Sequence, residues 1–285
     1  MKNRRLQNVI NEFKKNKTAL AALIFIVLLV IVSLAIVFVN VDPNAIDVQN
    51  MLQGPSKDHW FGTDEVGRDY LTRVIYGGRV SLLVGVLAMV TSIVIGVCVG
   101  CIAGYFGGAV DNILMRAVDI FSAIPWIIMV TVVSLLFKRG LFSIVFVIGI
   151  FSWMEIARLV RTEALSLKER DYIKYAGFIG INPFKIMFKH VIPAVFPTII
   201  TAATSSIANA IMTESAMSFL GIGVQQPMSS WGSLLQTAQS TLSKAPYMAV
   251  LPGILIVLTV CSFNKLGDVL HIFVEPKITA GESNE

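Results

Sequence analysis

Six stretches of this chain hold almost nothing but apolar and small residues, and their lengths decide what it can fold into. Residues 18–41 run 24 positions without a charge, and as an α-helix they span about 36 Å, more than the ~30 Å hydrocarbon core of a bilayer. Residues 80–110 give 31 such positions, 120–137 give 18, 191–213 give 23 and 245–264 give 20. Residues 140–154 give 15, and the apolar pattern runs on past Glu155 to Ala157. In hydrocarbon every backbone N–H and C=O must be paired within the protein, so such stretches fold as helices. Only 14% of the residues are charged, against about 25% in a soluble domain. The expected fold class is an all-α integral membrane protein with six transmembrane helices.

Orientation follows from the basic residues, which favour cytosolic loops. With the N-terminus inside, 16 of the 23 Lys and Arg fall on the cytosolic side. The other side carries seven, several of them in a loop that also holds Asp42, Asp47, Asp58, Asp64, Glu65 and Asp69. Both termini are therefore expected in the cytosol. The net charge of +5 is a topology signal and does not point to nucleic acid. The first apolar run is too long for the core of a cleaved signal peptide and is expected to stay as an anchor. The organisation is a basic leader (1–17), a first helix (18–41) and an extracytoplasmic loop (42–78). A five-helix core (79–273) with a cytosolic loop (158–190) follows, then a cytosolic tail (274–285). Asp69–Tyr76 is expected to form a short helix leading into the second span, and residues 214–246 an outer segment that dips back toward the membrane.

The 158–190 loop reads RLVRTEALSLKERDYIKYAGFIGINPFKIMFKH. It is too long for a turn and too short for a domain. Tyr172, Ile173, Tyr175, Ala176, Phe178 and Ile179 lie among charges, a pattern of short amphipathic helices that another surface must cover. Pro183 stops one helix and Pro193 opens the next within its first turn, so the loop is expected to be helix, break at 180–183, helix. Pro125 and Pro197 are expected to kink or start helices within their spans.

Chemistry is sparse. There is no G-x4-G-K-[ST] phosphate loop and no G-x-S-x-G elbow. His59, His190 and His271 are scattered, so no metal site is expected. Cys98 and Cys101 form a CxxC, but they sit beside Gly96, Gly100 and Gly104 in an apolar helix, where small residues let helices approach closely. Among ionisable groups near the spans, which are functional candidates by default, Arg116 and Asp119 stand at i,i+3, as do Glu155 and Arg158. Each pair is expected to bond internally. Glu214 has no basic neighbour in sequence. It reads as a helix-end residue at the outer interface, as a cavity group meeting a substrate cation, or as a proton-coupling site.

The loop also resembles something known. Gly180 and Pro193, thirteen residues apart, with Ala176 four before the glycine, are similar to the coupling-loop signature of ABC importer membrane subunits. Lys174 and Tyr175 stand where that signature has Glu and Ala. HWFGTDEVGRD (59–69), RVSL (79–82), GYFGG (104–108), ARLVR (157–161), LSLKERDY (165–172), SFLGIG (218–223) and SWG (230–232) resemble the dipeptide/oligopeptide/nickel permease family. Within that family the long N-terminal region resembles the C-type subunit.

The resemblance implies a type I ABC importer permease fold in the bacterial plasma membrane. It implies pairing with a homologous B-type permease, two ATP-binding cassette ATPases carrying ATP and Mg, and an extracytoplasmic substrate-binding (lipo)protein. This chain would bind no cofactor and would not itself be an enzyme. Its ATPase-coupling residues would be Lys174, Tyr175, Ala176, Gly177, Phe178, Gly180, Ile181, Asn182, Pro183 and Pro193. The implied cargo is di- or oligopeptides, with nickel or a metal chelate as the alternative. A secondary, proton-coupled transporter is the different-class reading, and the absence of an inverted repeat of broken helices argues against it.

Overall fold

Helix is the only backbone solution for the long apolar runs, and the computed structural model, which describes Phe13 and residues 16–39, 41–137 and 140–274, is built of helices and connecting turns. Most of the basic leader and the tail beyond Val274 lie outside the described residues. Helix α1 (Lys17–Ala35) starts where the Asn16 side chain accepts the Ala19 N–H at 3.2 Å. It tapers into a 3₁₀ turn, Ile36–Phe38. An irregular loop with one 3₁₀ turn (Val48–Asn50) leads to α2 (Tyr70–Phe106). The expected separate helix at 69–76 is instead the first part of α2. Asp69 caps it, accepting the Thr72 N–H at 2.8 Å, and nothing interrupts the 37 residues that follow. α2 ends at Gly107 and Gly108, whose φ of 67° and 54° lie in the left-handed region that favours glycine.

The expected third span, 120–137, is not a straight rod. α3 (Gly108–Ser122) and α4 (Trp126–Leu136) meet at Pro125 with a bend of 84°. Proline lacks the N–H to continue α3 and disfavours helical backbone at the residue before it. α4 has 11 residues, about 16 Å at 1.5 Å per residue, roughly half a bilayer core. Then come α5 (Leu141–Lys168), α6 (Asp171–Phe178), the short α7 (Pro183–Ile186) and a π-helical turn, Met187–Val191. The chain finishes with α8 (Ile192–Phe219), α9 (Trp231–Thr241) and α10 (Tyr247–Val274). Among the described residues five helical stretches are long and apolar enough to cross a membrane, and the bent pair α3–α4 makes up to six.

Glycine sets the closest contact. α2 and α5 run parallel, Gly96 against Ile156, Gly100 against Ala157 and Val160, and Gly104 against Ala164. A Cβ at any of the three would fall 2.6–2.7 Å from its neighbour, so only glycine permits this approach. Cys101 is buried in the same seam and Cys98 is exposed, which fits the reading of that stretch as packing surface. α8 runs antiparallel to α2, with Gly85 against Ile211 and the Ser92 and Ser206 hydroxyls 3.2 Å apart. α10 covers α8, and α1 lies on α10 and α2.

The two ends of the bundle differ. At one end Ile173, Ala176, Ile186, Met187 and Val191 pack with Val160, Ala164 and Cys101 in one apolar cluster. At the other, α9 folds back onto the bundle and packs against α8 and α10. Trp231 is fully buried there and donates its indole N–H to Val74 O at 3.0 Å. The 42–69 loop is held against this end by Tyr247, whose hydroxyl donates to Gln53 O at 2.9 Å, and α2 is tied to α10 there by the buried Tyr70, which donates to Met248 O. Inside the loop Asp64 accepts the Val66 and Arg68 N–H groups and the Arg68 guanidinium at 2.6–3.0 Å.

Candidate functional site

The loop between α5 and α8 has two faces. Arg170 begins α6, and its backbone carbonyl accepts the Ile173 and Lys174 N–H groups. The helix ends in a left-handed glycine: Gly180 has φ 79°, and the Ile181 N–H reaches back to Ala176 O at 3.1 Å, the pattern of a glycine-terminated helix. Asn182 then caps α7, accepting the Phe184 N–H at 2.9 Å, with Pro183 in the first helical position. The break at 180–183 is thus as expected, but Pro183 opens α7 instead of stopping α6, and the helical stretch it starts runs on through Pro193 to Phe219. The extra feature is the π-helical turn Met187–Val191 just before Pro193, a bulge of a kind often found at functional positions.

Ile173, Ala176, Ile186 and Met187 point into the bundle. Tyr175, Phe178 and Ile179 point away from it, with Phe178 90% exposed, while the Phe184 ring lies 5.8 Å from that of Phe106 on α2. Gly177, Gly180, Asn182, Pro183 and Pro193 are also exposed, and Ile181 is half-buried. Among the coupling candidates only Ala176 is buried. Lys174, standing where the signature has Glu, makes an exposed ion pair with Glu169 at 2.7 Å. The hydrogen bond between them holds the Glu169 carboxyl below its ordinary range and the Lys174 ammonium above its own.

The ion pairs expected at i,i+3 do not form. Arg158 reaches across from α5 to α3, bonding Asp119 at 2.9 Å and the Ser122 hydroxyl at 3.1 Å. Among the described residues Arg116 and Glu155 are in no ion pair. A second bridge between the same helices, Arg161 with both oxygens of Asp111, the longer contact 2.6 Å, carried no local signal because its partners are 50 residues apart. The two pairs brace the amphipathic α3 against α5. Beside them a cleft of about 950 Å³ opens between the α3–α4 elbow, α5 and α8. Trp126, Met129 and Met212 supply apolar wall, and Ser152, Glu155, Arg158, Ser205 and Asn209 supply polar groups.

Glu214 does not line the cleft. It is fully buried, accepting from the Ser81 hydroxyl of α2 at 3.0 Å and the Ser218 hydroxyl at 2.6 Å. Those hydroxyls in turn accept the backbone N–H groups of Trp231 and Val224. The carboxylate is therefore a knot joining α2, α8 and the segment leading into α9. Its actual partners are hydroxyls, one of them 133 residues away.

Residues 96–280, with the elbow, the cleft and the two-faced loop, match the family described as binding-protein-dependent transport system inner membrane component. The chain belongs to that family. Residues 5–55 match the N-terminal transmembrane domain of oligopeptide transport permease C. The permease is 37% identical to the oligopeptide transport system permease protein of Bacillus subtilis strain 168, over 93% of this chain and 88% of that one. It is also 37% identical to the dipeptide transport system permease protein of the same organism, over 95% and 86%. The glutathione transport system permease protein of Pectobacterium atrosepticum is 37% identical over 93% and 89%. Among solved structures, a chain of the MetNI methionine ABC transporter in inward-facing conformations superposes with a TM-score of 0.57 at 20% identity. The match covers 72% of this chain and 96% of that one. The fold is thus that of an ABC importer permease, and the permease is a multi-pass inner-membrane subunit.

Proposed function

We propose that this permease forms half of the translocation path of an ATP-driven importer for di- and oligopeptides, and takes its power stroke through residues 174–183. The observation that carries the coupling role is the two-faced loop. Its inner residues are locked into the bundle by Ile173, Ala176 and Ile186, so a force on α6 is passed to α5 and α8. Its outer face presents Tyr175, Phe178 and Ile179 to whatever docks there. The occupant is a separate ATPase bearing ATP and Mg. The second half of the path is a homologous B-type permease, and cargo arrives from an extracytoplasmic binding protein. Both termini and the loop lie on the cytosolic side, in keeping with the distribution of basic residues. Peptide cargo is supported by the oligopeptide, dipeptide and glutathione permeases to which the chain is similar.

The test is reconstitution with the partner permease, both ATPases and the binding protein in liposomes, with ATP on the ATPase side. Labelled trialanine should accumulate only when ATP is hydrolysed. Accumulation of a nickel chelate with no peptide uptake would replace the peptide reading by metal import.

A further inference from the structure

The cleft has a carboxylate that no described residue pairs with. Among the residues lining it only Glu155 and Arg158 have acidic or basic side chains. The Arg158 guanidinium is already committed to Asp119 at 2.9 Å and Ser122 at 3.1 Å. Glu155, one turn earlier on α5, is exposed to the cleft and has no ion-pair partner among the described residues. Around it stand neutral groups: the exposed Ser205 and Asn209 of α8, and the deformable thioethers of Met154 and Met212. A lone carboxylate on the wall of a cleft with low-dielectric sides is felt far more strongly than one on an open surface.

We propose that Glu155 is the group in this permease that discriminates cargo by charge. It attracts an ammonium or guanidinium passing through the cleft and repels a carboxylate. The inference rests on peptide import, since a peptide always offers such a group at its amino end or on Lys and Arg side chains. The Ser205 hydroxyl and Asn209 amide facing the same space are suited to hydrogen bonds with peptide groups. The residue therefore sets preference between cargoes and does not take part in ATP hydrolysis.

The test uses the complete reconstituted importer with trilysine, trialanine and triglutamate as probes. The binding protein is the same in every preparation, so the variant-to-wild-type ratio for each peptide isolates the permease. Glu155→Lys should lower the trilysine-to-trialanine uptake ratio about tenfold, and raise the triglutamate-to-trialanine ratio, as expected for reversing one close charge. Glu155→Gln should move both ratios the same way by a smaller factor, and Glu155→Asp should leave them near the wild type. Should Glu155→Lys and Glu155→Gln change uptake of all three peptides equally, or not at all, charge discrimination by Glu155 is wrong while peptide import stands. A wild-type importer that moves none of the three overturns both readings together.

Discussion

At the scale of single residues, the buried carboxylate of Glu214 shows how an ionisable group is used for architecture. Its two oxygens take the only protons that the Ser81 and Ser218 hydroxyls have to give, leaving those hydroxyls to accept from Trp231 N and Val224 N. Removing the carboxylate strands two buried hydroxyl donors. Glu214→Ala is therefore expected to destabilise the permease by about 1–3 kcal/mol, seen as a lowered midpoint of thermal unfolding in detergent. Ser81→Ala in the same background should then cost less than it does alone, because the shared bond is already gone. Full additivity would mean that the two residues do not act together. Asp69 is a second such residue, at the mouth of α2 and outside the span. Burial pushes its carboxyl up, but hydrogen bonds from the Thr72 hydroxyl and amide and from His59 outweigh this and hold it below the ordinary range. Its contribution is complete above the unfolded pKa of about 4 and is lost as pH falls through the lower folded value. Asp69→Ala should cost about 1 kcal/mol at neutral pH, and its gap from the wild type should close only in strong acid. A gap already closed by pH 5–6, well above the ordinary pKa of about 4, would rule out this cap as its origin.

At the scale of elements, the α6–α7 segment separates docking from folding because its faces have different neighbours. Phe178 is 90% exposed and touches no core, whereas Ile186, fully buried, sits in the apolar cluster under the loop. Phe178→Asp should leave the unfolding midpoint unchanged yet cut ATP-driven uptake about tenfold or more, as loss of a docking anchor does. Ile186→Asp should instead destabilise the subunit, since it buries a charge without a partner. Normal uptake by Phe178→Asp would remove α6 from the ATPase interface. How these elements could be read in advance differs from one to the next. Bilayer-length helices and the break at Gly180 and Pro183 are local properties, written in uninterrupted apolar residues, one left-handed glycine and one missing N–H. Pro125 announced a bend, but its 84° depends on how α3 braces against α5. That bracing uses Arg158 with Asp119 and Arg161 with Asp111, partners 39 and 50 residues apart. A spacing rule within one helix selects Arg116 with Asp119 and Glu155 with Arg158, because it cannot know that α5 turns Arg158 toward α3.

At the scale of the whole molecule, the described residues leave the cleft open. The elbow at residues 123–125 breaks the helix, and α4 has only 11 residues before the next turn. Non-helical backbone at membrane depth is tolerated only where it is covered by protein or lines a water-filled cavity. The cleft beside it is walled by α5 and α8 but open laterally, with Ile128, Val132 and Leu136 of α4 exposed. A second permease laid on that side would complete the wall and cover the elbow. On the proposed coupling, energy enters through the loop, since Glu214 is tied to hydroxyls, Asp111 and Asp119 are held by arginines, and Glu155, the cleft carboxylate without an ion-pair partner among the described residues, is a single group and not a relay. Liposomes carrying this permease alone are therefore expected to take up no peptide under an imposed proton gradient. Liposomes carrying the full set of subunits should accumulate peptide with ATP present and continue to do so when a protonophore collapses the gradient. Gradient-driven uptake by the single chain would show instead that the elbow and cleft form a complete pathway, with the α6 surface serving some other contact.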